Sequence, residues 1–120
     1  MDWLLHRGKC YWLSKTSQNW SESRSDCEMK NSQLLVIQNQ DEEMVFIQNI
    51  TEGEHLVWLG VRVTFPEGKW MWVDGSPLNQ PQLPGPAESN SCGVIKKNQI
   101  RSDICNTKFK WICRKEALLI

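Results

Sequence analysis

At 120 residues, with fourteen acidic and fourteen basic side chains and a net charge of zero, nothing in the charge balance recommends nucleic acid or an anionic membrane as the main partner. That length suits one domain, residues 1–120, burying about two-thirds of its unfolded surface in a single core. No apolar run approaches the ~18 residues of a membrane span, and Asp2, His6 and Arg7 interrupt the N-terminus where a signal peptide would need apolar residues. If the protein is extracellular, its targeting segment is expected upstream, and Met1 reads as an expression start.

In chain order, residues 8–14 predict a short aromatic strand and residues 17–31 a helix, with Trp20, Cys27 and Met29 as its apolar contacts. Leu34 to Ile37 reads as a buried strand or extended run. A second helix is expected over 41–50, capped by Asn39 with Glu42 three residues on, stopped by Gly53, and burying Met44, Val45, Ile47 and Ile50. Glu42-Glu43 then falls in its first turn, where acids complement the helix dipole. Strands follow at 56–61 and 69–73, around a turn at Pro66-Glu67-Gly68. Residues 74–91 hold four of the five prolines and read as a long surface loop. Cys92–Ile95 and Phe109–Cys113 read as the last two strands.

Seven tryptophans in so short a chain supply a core, since each aromatic buries roughly 150–250 Å². Trp58, Trp70, Trp72 and Trp111 sit in strand patterns and are expected there rather than at a ligand. Five cysteines point to an oxidising compartment and leave one over: a free thiol, an intermolecular bridge, or a residue whose partner lies upstream. Zinc is the rival use, but no Cys-x-x-Cys pair exists, and His6 and His55 stand far from the C-terminal cysteines. Both histidines are expected to be exposed polar residues, and no catalytic motif argues for an enzyme. Two sequons, at Asn19 and Asn49, favour a secreted or cell-surface protein; Asn90-Ser91-Cys92 is a poorer acceptor.

Cys10-Tyr11-Trp12, Cys27, Trp58-Leu59-Gly60-Val61, Trp70-Met71-Trp72-Val73-Asp74-Gly75, Cys92, Cys105 and Trp111-Ile112-Cys113 occur in an order that resembles the C-type lectin-like domain over essentially the whole chain. The resemblance implies an α+β fold: two helices packed on two small, mainly antiparallel sheets, with a long surface loop. It also implies disulfides joining Cys27 to Cys113 and Cys92 to Cys105, and, as in long-form members, a bridge from Cys10 to a cysteine upstream. The run from Asp2 to Trp12, together with Leu34 to Asn39, is similar to the killer cell lectin-like receptors of natural killer cells, subfamily F in particular. These are type II membrane proteins carrying the domain at the extracellular C-terminus.

Sugar-binding members hold calcium through Glu-Pro-Asn or Gln-Pro-Asp in the long loop and Trp-Asn-Asp before the third lectin cysteine. Calcium needs six to eight oxygens. Here the loop has Gln80-Pro81-Gln82, and Ile100-Arg101-Ser102 stands where Trp-Asn-Asp would. Arg101 repels a divalent ion, Asp103 is one position out of place, and Glu88 is the carboxylate left in the loop. No metal or other cofactor is therefore expected. The implied activity is recognition of a C-type lectin-like protein on another cell. The contact surface would include Gln82, Glu88, Lys96, Lys97, Asn98, Arg101 and Asp103, with an ordinary solvated charge cluster as the plain reading of 96–101. A homodimer is left open. The alternative activity is glycan binding through a non-standard site.

Overall fold

The computed structural model describes residues 3–37, 40–51, 55–64, 66, 68–78, 88, 90–97 and 99–117, with backbone alone at 40–42. Asn39, Gly53, Gln82 and Asn98 lie outside these residues, as does the Glu42 side chain. The first hairpin is one strand richer than expected. β1 (Leu4–His6) turns back through Arg7 and Gly8, both at positive φ (50° and 79°), into β2 (Lys9–Leu13). Three residues give too short a pattern to read as a strand; the reversal at Gly8, which tolerates the left-handed region, creates it.

Helix α1 (Trp20–Met29) starts at Asn19, whose side-chain oxygen accepts the Glu22 N–H at 2.9 Å. Its inner face is Trp20, Ser23 and Cys27, spaced three and four apart; Met29 is 83% exposed, on the opposite face, and makes no core contact. β3 (Gln33–Leu34) leads into the buried run Leu34–Ile37. Helix α2 (Gln40–Thr51) buries Glu43, Ile47 and Thr51, with Met44, Phe46 and Ile50 packed against the core. Val45 is exposed, since two residues from Glu43 is about 200° around the helix.

β4 (Val57–Thr64) and β5 (Lys69–Trp72) form the second hairpin. β6 (Ser91–Lys96), β7 (Gln99–Ile104) and β8 (Lys110–Glu116) complete the sheet. β7 corrects the expectation of two final strands. The sheet order is β1-β2-β8-β4-β6-β7, with β3 on β8 and β5 on β4. Among the described residues every strand pairing is antiparallel except β4 with β8, which joins the two antiparallel parts. Gly60 sits at the junction: its N–H donates to the Leu35 carbonyl at 2.7 Å, and a Cβ there would collide with the Leu34 carbonyl oxygen. A side chain at this position would force β3 off the sheet.

Tryptophan organises one half of the core. Trp20, Trp58 and Trp111 pack with the Cys27–Cys113 and Cys92–Cys105 disulfides, and Trp70 and Trp72 belong to the other half with Tyr11, Leu59 and Ile112. Buried indole N–H groups find acceptors: Trp20 on the Leu59 carbonyl and Trp58 on that of Gln18, both at 2.8 Å.

Glu43 is not a solvated helix-dipole acid. It is 7% exposed, accepts the Tyr11 hydroxyl at 3.0 Å, and lies 3.4 Å from Nε of buried Arg114. Burial, reinforced by the Glu43 carboxylate, pushes the Tyr11 phenol from 10.0 up to about 12. A raised acid pKa means the folded state holds its proton more tightly. Its stabilising contribution is therefore full below pH 10 and is lost as pH rises towards 12. Tyr11→Phe should flatten that alkaline decline in a urea-denaturation series from pH 9 to 12; an unchanged slope would show that the phenol is not its source.

Candidate ligand-binding face

The Cys92–Cys105 bridge anchors the β6–β7 hairpin to α1, because the Cys105 carbonyl accepts the Trp20 N–H at 3.0 Å. Along the hairpin, Lys96 pairs with Gln99, Val94 with Arg101 and Cys92 with Asp103. Alternation puts these six residues on one face. The structure thus brings Lys96, Arg101 and Asp103 together, rooted at the disulfide. Arg101 is exposed and donates to the Gln99 side-chain oxygen at 3.3 Å. Lys97, at φ 57°, is exposed in the turn. Gln99 was not among the expected contact residues, and only the strand register reveals that it shares their face.

Asp103 is half-buried near the end of β7. Its Oδ1 accepts the Ile104 N–H at 2.7 Å and the Thr107 hydroxyl at 3.1 Å, holding the chain as it leaves β7. Glu88 is exposed. Among the described residues no three His, Cys, Asp or Glu side chains cluster as metal ligands.

Cys10 is unbonded and half-buried on β2. Asn19 keeps its carbonyl oxygen on the α1 cap, and Asn49 is exposed on α2. His6 is not a freely exposed polar residue: it stacks on Phe46, ring centroids 4.1 Å apart. Trp58, Trp70, Trp72 and Trp111 are all buried and do not contribute to this face.

The fold and cysteine framework have a match in the Lectin C-type domain, whose family pattern covers residues 16–115. The chain belongs to the C-type lectin domain family. This C-type lectin domain is 46% identical to human killer cell lectin-like receptor subfamily F member 2, over 98% of the chain and 58% of that protein. It is 45% identical to subfamily F member 1 of Macaca fascicularis, over 94% of the chain and 49% of that protein. The chain thus spans about half the length of the curated relatives it matches. Among solved structures, the mouse scavenger receptor C-type lectin carbohydrate-recognition domain superposes with a TM-score of 0.84 at 28% identity, covering 98% of this chain and 96% of that one. A GlcNAc complex of SPL-1 superposes with a TM-score of 0.78 at 26% identity, covering 94% and 91%. Family and fold are of lectin and receptor type. No helix among the described residues is long and apolar enough to cross a membrane.

Proposed function

We propose that residues 1–120 are the single extracellular ligand-binding domain of a type II natural killer cell-surface receptor. It recognises a C-type lectin-like protein on an opposing cell without calcium or sugar. The observation that carries this reading is the state of the β6–β7 face. Arg101 stands there as an exposed cation, and one oxygen of the Asp103 carboxylate accepts from both Ile104 and Thr107. A cation beside a single, partly engaged carboxylate is poor provision for a divalent ion and good provision for charge complementarity with a protein. The contact surface is Lys96, Lys97, Arg101 and Asp103, extended by Glu88, Gln82 and Asn98. Two killer cell receptors of subfamily F lie above 40% identity, which supports the receptor type and the membrane-anchored placement. In the same reading Cys10 bonds to a cysteine of a preceding segment, and Asn19 and Asn49 carry glycans.

The second reading, a glycan-binding domain with a non-standard site, draws on the structural likeness to a carbohydrate-recognition domain. Binding to a panel of lectin-like cell-surface proteins and to a glycan array, with and without a calcium chelator, separates the two. Protein binding insensitive to chelation and to soluble sugar is expected. Loss of binding on chelation would sink the receptor reading. Reversing charge at Lys97 and Arg101 together should weaken the protein partner at least about tenfold, mainly through the association rate and its salt dependence. An unchanged affinity would move the interface elsewhere.

A further inference from the structure

A second surface of distinct chemistry lies on the β4–β5 hairpin. Arg62 and Thr64 of β4 stand opposite Met71 and Lys69 of β5, so all four share one face of the hairpin. The opposite face, with Val61, Val63, Trp70 and Trp72, is core. Between Trp58 and Arg62 the pairing of β4 with β6 shifts, the strand irregularity that re-aims a side chain. Arg62 rejoins the ladder opposite Cys92 and lays its guanidinium over the Trp20 ring, 5.0 Å from its centroid. Arg24, one turn into α1, approaches the same ring at 5.6 Å. The ring itself is fixed, being 1% exposed with its N–H on the Leu59 carbonyl. Two cations are thus held by one immobile platform.

Below them is a groove of about 610 Å³, lined by Arg24, Arg62, Lys69, Met71, Val73 and Pro77 among others. Its size is that of a ligand pocket rather than a packing defect. Arg24, Arg62 and Lys69 have no carboxylate partner among the described residues, where the ion pairs are Lys9–Glu116, Lys30–Asp26 and Arg114–Glu43. Asp74, in the turn at the groove's end, already accepts the Ser76 N–H and hydroxyl. Three cations ringing an apolar floor, with no ion pair among the described residues, suit a ligand that is anionic and apolar at once.

We propose that this groove binds an acidic peptide segment of a partner protein, its apolar side chain seated on Met71, Val73 and Pro77 and its flanking carboxylates on Arg24, Arg62 and Lys69. Shape favours a peptide over a sulfated polysaccharide. The site is a concave apolar slot with cations at its rim, whereas a polyanionic chain needs an exposed row of charge and no pocket. The groove adjoins the β6–β7 face, where Arg62 pairs with Cys92, but uses none of its charged contact residues.

The test is fluorescence anisotropy with a labelled Glu-Glu-Leu-Phe-Glu-Glu peptide. Saturable binding is expected, weakening at least about tenfold in Arg62→Gln/Lys69→Gln and on raising salt from 0.05 to 0.5 M. It should also weaken when the glutamates become glutamine or the Leu-Phe pair becomes Ser-Ser. Met71→Glu, which adds a carboxylate to the floor and leaves every cation in place, should abolish it. Charge reversal at Lys97 and Arg101 should leave it unchanged. The proposal is overturned by no saturable binding up to about 1 mM. It is equally overturned by undiminished binding in the groove variants at unchanged melting temperature, by equal affinity for the neutral peptide, or by tighter binding of heparin at the same residues.

Discussion

Replacing Cys27 and Cys113 with alanine is expected to lower unfolding free energy by about 4–5 kcal/mol. The bridge closes a loop with a sequence separation of 86, and the loss of denatured-state entropy grows with the logarithm of that length. The Cys92–Cys105 bridge, with a separation of 13, should cost about 3 kcal/mol on the same scale. Both bridged cysteines of the long loop are wholly buried, and alanine avoids orphaning a hydroxyl there. Against a typical domain stability of about 5–15 kcal/mol, the first variant is left marginal and the second folded. Urea denaturation of the two alanine pairs checks the order. A smaller loss for Cys27–Cys113 than for Cys92–Cys105 would refute loop closure as the source.

Arg114→Met alone should destabilise the domain by about 3–5 kcal/mol, because Glu43 then remains buried without its counter-charge. Arg114 lies in β8 between Tyr11 of β2 and Gln33 of β3, so its side chain ties α2 to the centre of the sheet. Combining it with Glu43→Gln, which keeps an acceptor for the Tyr11 hydroxyl while removing the stranded charge, should recover most of the loss. A double variant as unstable as the single one would mean that Arg114 acts through packing alone. Denaturation midpoints at one pH, with unchanged denaturant slope, make the comparison.

Much of this fold is legible where chemistry is local. The order of Cys10, Cys27, Cys92, Cys105 and Cys113 around Trp58-Leu59-Gly60-Val61 marks the architecture. The misread elements share a different cause. β7 alternates Gln99, Arg101 and Asp103 with Ile100, Ser102 and Ile104, and leaves Gln99 and Arg101 exposed on one face. Without its partner β6 that pattern resembles a solvated segment. Met29 and Val45 were placed by hydrophobicity, but helix geometry turns both away from the sheet. Glu43 misleads most, because its burial depends on Tyr11 and Arg114, one near each end of the chain. Of the candidate face, the residue types were readable and their co-facial arrangement was not. Arg24, Arg62 and Lys69 are scattered over α1, β4 and β5, and only the folded hairpin assembles them.

The pairing of β2 with β8 sets an order of events during synthesis. Tyr11 finds its neighbour Arg114, and Trp12 its neighbour Cys113, only when the last strand has left the ribosome. At roughly 5–20 residues per second, the N-terminal strand waits on the order of five to twenty seconds for the residues that will cover it. Through that interval Cys27 is a thiol without its native partner, while Cys10 and then Cys92 are already at hand. The nascent domain therefore cannot mature from its N-terminus forward, and the Cys27–Cys113 bridge can form only once β8 has been synthesised.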